Sequence, residues 1–389
     1  MVCIAKDREA KAYMIEYLKE LKKAGRPVIG CFPLYPPLAL FHGLDLMPAV
    51  LWGFRGDFTE MSQSDKHLQN YTCSVARHMT EFLFSEGSGL VDGLFMYNAC
   101  DTLRNLPEII QRGLNQAGRQ VPIFHIHIPM VPPYQTDAGQ YLENEINGLI
   151  AALENAFGRN FSTDAFKKSI DQLEKGRGIA LDAEYAVAQG RLDFQSFAKT
   201  LHLAWAMPGM HQPDRLAGWL GKQALNEANS DKPGIILSGI LPPPDSVIDA
   251  IEASGLRIVG NDIASLHRTY AAMPAAVTDP AAYYRDFYIN HYPCPSLLYT
   301  GDRRLSALLE RCRKTGAAGV VFVGEKFCEY EYFEFPYLEK KLREQGIQTL
   351  MVEVAIGDEA QTATHAARIE AFAEMLHSGT KTQYLIPNT

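Results

Sequence analysis

Three single cysteines stand far apart in the chain: Cys73 in YTCSVARH, Cys100 in NACDTLRN and Cys328 in GEKFCEYEYF. With Cys3, Cys31, Cys294 and Cys312 they make seven, an odd number without any CxxC pair. That spacing argues against a disulfide framework and against a zinc ribbon, and it predicts reduced thiols. A thiolate is a soft ligand suited to an iron-sulfur cluster, whereas a lone cysteine among apolar neighbours is an inert small hydrophobe. Which of the two applies depends on where the backbone places each sulfur.

Cys100 follows the apolar run VDGLFMYNA and precedes DTLRNLPEI, a helix start with Asp101 and Thr102 as cap candidates. Its sulfur is thus expected in a strand-to-helix loop, the edge at which parallel sheets bind ligands. Cys328 repeats the arrangement after GVVFVGEKF and before YFEFPYLEKKLREQG, and Cys73 opens a helix ahead of the strand that leads to Cys100. Thiolates gathered from two domains at such an edge would hold three irons of a cluster and leave one open, with helix-end amides stabilising the charge. From spacing alone, a shared cluster and three separate buried thiols both stay open.

Other motifs fall away. In GVVFVGEK, Lys326 comes one place too late for a phosphate-binding loop, no Ser or Thr follows it, and the residues between the glycines read as strand interior. There is no GxGxxG, GxSxG or HExxH. His125 and His127 in FHIHIP share one face of a strand, but no third ligand is near them, and a structural reading is preferred.

The elements that must carry the cysteines alternate. PVIGCFPLY, AVLWGF, VDGLFMYNA and VPIFHIHIP read as strands, separated by helical stretches, one ending near LMP and others at VARHMTEFLFSE and LPEIIQRGLNQ. From 136 to 230 the pattern is helix after helix; the alternation returns at PGIILSGILPPPDSVIDAIEASGLRIVGND. The fold expected is α/β: two Rossmann- or flavodoxin-like parallel-sheet domains, 1–135 and 231–389, with a helical segment at 136–230 and a boundary at NSDKPG. A formal net charge of −8 without a basic block removes the footprint of nucleic-acid binding. No apolar run reaches the length of a membrane span, and the charged N-terminus predicts a cytoplasmic protein.

The segments RPVIGCFPLYPP, HLQNYTCSVAR, GLVDGLFMYNACDTLRNLPEI, GAAGVVFVGEKFCEYEYFEFPYLEKKLREQGIQTLMVEV and ARIEAFAEML resemble the benzoyl-CoA reductase and 2-hydroxyacyl-CoA dehydratase family, over almost the whole chain. The resemblance implies a catalytic subunit with a [4Fe–4S] cluster, a double cubane being the larger alternative. The ligands that match are Cys73, Cys100 and Cys328. It also implies a paralogous cluster-bearing subunit, an ATP-hydrolysing iron-sulfur activator and an acyl-CoA substrate. NACDTLRNLPEI and LQNYTCSVAR look closer to the smaller subunit of ATP-dependent benzoyl-CoA-type reductases, which makes an oxidoreductase the first expectation. A 2-hydroxyacyl-CoA dehydratase, a lyase, is the alternative, and a non-catalytic electron-relay subunit the third reading.

The chain departs from that family at several places. PPLALFHGLDL places Ala39 where relatives carry a glutamate, and His42 is retained; His42, as a catalytic group, or Asp45 becomes the substitute for the lost carboxylate. Glu329 replaces an aspartate after the third cysteine, and SGILPPP lacks a cysteine found in some reductase-type relatives. Cys31 and Cys294 are extra-ligand candidates for which a structural role is preferred.

Overall fold

The structure, a computed structural model, describes residues 7–51, 60–132, 135–206, 212–223, 231–275, 277–297, 299, 301–356 and 361–383. Two α/β domains emerge, each around a four-stranded parallel sheet. The first sheet holds β1 (Val28–Cys31), β2 (Met47–Val50), β3 (Gly93–Tyr97) and β4 (Ile123–Ile126), with α1 (Asp7–Lys23), α2 (Leu38–Gly43), α3 (Ser74–Ser85) and α4 (Asp101–Gln116). Four helices follow: α5 (Thr136–Phe157), α6 (Thr163–Ala188), α7 (Phe194–Ala206) and α8 (Gln212–Leu220). The second sheet holds β5 (Gly234–Gly239), β6 (Arg257–Ile263), β7 (Gly319–Glu325) and β8 (Gln348–Val354). Its helices are α9 (Asp245–Ala253), α10 (His267–Tyr270), α11 (Pro280–Ile289), α12 (Arg303–Thr315), α13 (Glu329–Glu344) and α14 (Thr362–Gln383).

The strand orders are β2-β1-β3-β4 and β6-β5-β7-β8, the same permutation twice. The central strands β1, β3, β5 and β7 are buried along their whole length. Such strands need cover on both faces, which explains their unbroken apolar runs. Amphipathic helices supply the cover: on α4, Leu103, Leu106, Ile110 and Leu114 turn inward at helical spacing. In each sheet the chain reverses direction between the two central strands, β1 and β3 or β5 and β7, and this is where parallel sheets form ligand crevices. Gly239 ends β5 at that point; a Cβ there would stand 2.7 Å from the carbonyl oxygen of Val323, so only glycine fits.

The helices of 136–230 are shared by both sheets. Phe166 and Ile170 of α6 belong to the first core, while Ala180, Ala183 and Val187 of the same helix belong to the second. In return α11, from beyond the second sheet's first strands, places Tyr283, Tyr284 and Tyr288 in the first core. The carboxyl edges of the sheets also meet directly: the Tyr35 hydroxyl donates to the Ala264 carbonyl at 3.3 Å and the Tyr288 hydroxyl to the Tyr35 carbonyl at 3.1 Å.

Two local expectations change. The helix expected to end near LMP stops at Gly43, because Asp45 takes a left-handed conformation (φ 51°) and the chain turns into β2. Pro48 is tolerated there because β2 is an outer strand. The strand expected through AVLWGF ends at Val50, and Trp52, Gly53 and Phe54 lie outside the described residues, as do residues 224–230 at the expected domain boundary. Among the described residues no helix is long and apolar enough to cross a membrane.

At the carboxyl edge of the second sheet a buried ion network holds the layers together. Asp262 accepts from Arg268 Nε at 3.2 Å and Nη2 at 2.9 Å, and from Ser238 Oγ at 2.8 Å. Arg304 pairs with the same carboxylate at 3.1 Å. Asp262 and Arg268 are 0% exposed. Burial alone would raise the Asp262 carboxyl, but the two guanidinium groups overcome it and hold it well below the usual carboxylate range. Asp262→Ala leaves buried Arg268 without its carboxylate and Arg304 with Glu334 alone, and is expected to cost about 3–5 kcal/mol, read from the urea midpoint. Because the folded pKa is depressed, this stabilisation is present above the unfolded value near ~4 and is lost as pH falls below it. The variant should accordingly lose part of the wild type's sensitivity below about pH 4; an unchanged midpoint and acid profile would contradict this account.

Candidate functional site

Each of the three cysteines caps a helix. Cys73 precedes α3, Cys100 precedes α4 and Cys328 precedes α13, all with the non-helical backbone that a cap position takes. Asp101 and Thr102, expected as caps, lie inside the first turn of α4 instead. Cys100 and Cys328 occupy equivalent places, after the third strand of each sheet, at the two points where the chain reverses direction.

All three thiols are half-buried and free. Burial pushes Cys73 up to about 12, with Cys100 and Glu325 adding to the rise. Burial also raises Cys328 well above its ordinary value, and Glu331, Cys73 and Cys100 raise it further. Cys100 is raised by burial, then by Glu329 and Asp101. The opposing influence recurs at each site: the backbone amide three places on, of Ala76, Leu103 or Glu331, draws the sulfur down. None of these contacts is short enough to be a cap hydrogen bond. Burial thus keeps the free thiols protonated, and each sits at the positive end of a helix.

Among the described residues, no three His, Cys, Asp or Glu side chains are gathered tightly enough to hold a single metal ion. Cys73, Cys100 and Cys328 offer three soft sulfur donors, each at the amino end of a helix, and the chemistry of that donor set suits an iron-sulfur group.

The second domain presents Cys328 on a tight turn. The Cys328 amide donates to the Glu325 carbonyl at 2.8 Å, and Phe327 between them has φ 66°, a conformation that bulky residues rarely take. The Glu325 amide in turn donates to Glu331 Oε2 at 3.1 Å. Burial raises the Glu331 carboxyl to about 7, although Arg268 and Arg304 partly oppose the rise. Ser74, beside Cys73, donates its hydroxyl to Glu325 Oε1 and accepts from the Ile356 amide at 2.8 Å.

Behind the cysteines the joint is packed with polar side chains. Arg268 Nη1 donates to Cys294 Sγ at 3.4 Å, and Cys294 contacts Ser296 Oγ at 3.2 Å. Tyr35 packs at a tilt against His291 with ring centroids 4.1 Å apart. Burial raises the Tyr35 and Tyr97 hydroxyls and Cys294 adds to both, while a polar seam runs from Ser296 and Cys294 through Arg268 to the Asp262 network.

The remaining candidates separate from this group. His42 Nδ1 pairs with Ser169 Oγ of α6 at 2.6 Å. Asp45 lies 66% exposed and is paired with Arg26 and Arg159, turned to solvent. Ala39 is fully buried, and its amide donates to the Tyr284 hydroxyl at 2.9 Å. Cys31 is buried with its thiol toward the Ile29 carbonyl at 3.5 Å, and burial raises its pKa. His125 and His127 are exposed, and His127 pairs with Tyr141 at 3.2 Å. Lys326 follows directly on β7, as the rejection of a phosphate loop required. Ser74, Glu325 and Arg268 were not singled out in the sequence. For Glu325 the available signal was an acid closing the otherwise apolar strand GVVFVGE.

A two-domain α/β protein with cysteine-capped helices at facing sheet edges is the class that this fold and site define. The chain belongs to the family described as "2-hydroxyglutaryl-CoA dehydratase, D-component", whose profile matches residues 33–376. It is 26% identical over 340 residues to a benzoyl-CoA reductase subunit of Thauera aromatica, covering 85% of this chain and 86% of that one. To the (R)-phenyllactyl-CoA dehydratase beta subunit of Clostridium sporogenes it is 22% identical over 372 residues, 92% of this chain and 94% of the relative. To the beta subunit of (R)-2-hydroxyglutaryl-CoA dehydratase of Acidaminococcus fermentans it is 24% identical over 371 residues, 92% and 95% of the two chains.

His291 yields a pH test of the joint. Burial lowers its pKa to about 4, against the bond of Nδ1 to the Tyr292 carbonyl at 2.7 Å. The unfolded chain takes up this proton first, near pH ~6.5, so its contribution to stability is full above that pH and falls toward pH 4 by about 1.4 kcal/mol per unit. His291→Phe keeps a ring against Tyr35 and removes the proton. Urea midpoints between about pH 6.5 and 4.5 should fall less steeply in the variant than in the wild type; parallel slopes would refute the assignment.

Proposed function

We propose that the chain is the cluster-bearing subunit of an ATP-dependent aromatic acyl-CoA reductase of the benzoyl-CoA type. The observation that carries this is the grouping of Cys73, Cys100 and Cys328 as helix caps drawn from both domains. The fraction of sequence shared with the Thauera aromatica benzoyl-CoA reductase subunit supports it. A [4Fe–4S] cluster on these sulfurs, with one iron free of protein ligand, would supply low-potential one-electron chemistry and Lewis acidity at an acyl-CoA carbonyl. The chain's own part is to offset the negative charge with the first-turn amides of α3, α4 and α13, and to exclude water with the seam of Tyr35, Tyr97, Cys294 and Arg268. His42, tied to Ser169, is retained as a proton-handling group in this proposal.

The complex envisaged is cytoplasmic and oxygen-sensitive, with a related cluster-bearing subunit. A separate ATP-hydrolysing activator fits the lack of a phosphate-binding loop in this sequence. The second reading is a subunit of a 2-hydroxyacyl-CoA dehydratase, favoured by the family's description and by the beta-subunit names of several relatives.

Replacing any one of Cys73, Cys100 or Cys328 with Ala should remove most of the iron and acid-labile sulfide of anaerobically purified protein; full iron content in all three variants would end the cluster assignment. With partner subunit, activator, ATP and a low-potential donor, the reductase is expected to oxidise donor in proportion to the aromatic acyl-CoA reduced. Sustained loss of water from a 2-hydroxyacyl-CoA with only catalytic ATP would establish the dehydratase instead. An intact cluster without turnover of either substrate would favour an electron-relay subunit.

A further inference from the structure

Two of the capping cysteines belong to the first domain and the third to the second, so something must fix the distance between the domains at this point. The structure supplies a candidate one residue from Cys73 and three from Cys328. Ser74 Oγ donates to Glu325 Oε1, at the end of β7, and accepts from the Ile356 amide at 2.8 Å, just past β8. One hydroxyl of the first domain is thereby held by a side chain and a backbone group of the second. Glu325 is 4% exposed, and its own amide and carbonyl are engaged by Glu331 Oε2 and by the Cys328 amide. Its carboxylate thus sits on a fixed frame. On the other side the Ser74 carbonyl accepts from His78 Nδ1 at 2.9 Å, one turn along α3.

We propose that Ser74 is a positioning residue: by bonding to Glu325 and Ile356 it sets the separation of Cys73 from Cys328 and so completes the three-thiol site. The proposal rests on the cluster reading for its purpose, but not for its geometry. Removing the hydroxyl deletes at once the bond to a buried carboxyl group and the bond from a backbone amide of the other domain. The closing Ile356 amide is left without its acceptor as well.

The test uses the full chain in two forms. In anaerobically reconstituted protein, a chelator should bleach the cluster absorption of Ser74→Ala about tenfold faster than that of the wild type. Ser74→Thr, which keeps the hydroxyl, and Glu325→Gln, which keeps an acceptor, should restore most of the wild-type lifetime. In metal-free protein the probe is phenylarsine oxide, which bridges two neighbouring thiols: two S–H bonds are exchanged for two As–S bonds, water leaves, and arsenic stays trivalent. Ser74→Ala should bind it about tenfold more weakly than the wild type, toward the level of Cys73→Ala. A wild type that takes up no cluster would defeat the functional reading, and the arsenical would still decide the clamp. Arsenical capture by Ser74→Ala at wild-type strength, or both conservative variants behaving like the alanine variant, would overturn the proposal.

Discussion

Two guanidinium groups share one buried carboxylate where β6 ends, and the geometry of the joint depends on that arrangement. A buried Asp without cations would protonate, and a buried Arg without an anion would not stay buried. Together they bind α10 and α12 to β5 and β6 through Asp262, Arg268, Arg304 and Ser238. Arg268 then reaches outward to Cys294, which brings the loop after α11 under Tyr35 and Tyr97 of the first domain. The charge network thus makes the second domain's edge rigid enough to be a wall of the site. Its interaction energy goes largely into specifying one arrangement, since an apolar core of similar volume could be as stable.

The repeated strand permutation explains why two cysteines arise at matching places, and the departure from repetition explains the third. In the first domain the helix before the third strand, α3, begins on Cys73. In the second domain the helix before the third strand, α12, has Asp302 at the corresponding cap position, and its first turn gives Arg304 to Asp262. The same structural slot carries a cysteine on one side and an aspartate on the other. Three capping cysteines therefore arise where a symmetric pair of domains would offer two or four.

The alternation of apolar runs with amphipathic helices made both sheets legible, and the strand-to-helix position of Cys100 and Cys328 could be read from the residues alone. The ends of short elements could not. Gly43, Asp45 and Pro48 divide a helix from an outer strand by backbone conformation and edge position, and the local sequence does not announce either. The polar seam was equally hidden: Arg268 follows Asp262 closely, but Ser238 and Arg304 join them from distant elements, and the charged members look like ordinary surface charges until the sheet order brings them together. Ser74 lay beside a cysteine that was noticed, but its partners Glu325 and Ile356 are more than two hundred residues away.

The buried alanine at position 39 gains meaning from what surrounds it. Its amide and that of Leu40 both point at the Tyr284 hydroxyl, so a side chain of α11 does the work of an N-terminal cap for α2. Tyr284 is itself fully buried, and burial keeps its hydroxyl protonated. A carboxylate at position 39, which is fully buried, would meet a desolvation penalty unless a cation or hydrogen-bond donors compensated it. Asp45 cannot substitute for it, because its side chain faces solvent on the far side of the turn with Arg26 and Arg159. Within this chain, then, the neighbourhood of α2 supplies a hydroxyl and an imidazole group, Tyr284 and His42. The carboxyl groups beside Cys328, Glu325 and Glu331, belong to the second domain, and Asp101 stands beside Cys100 in the first.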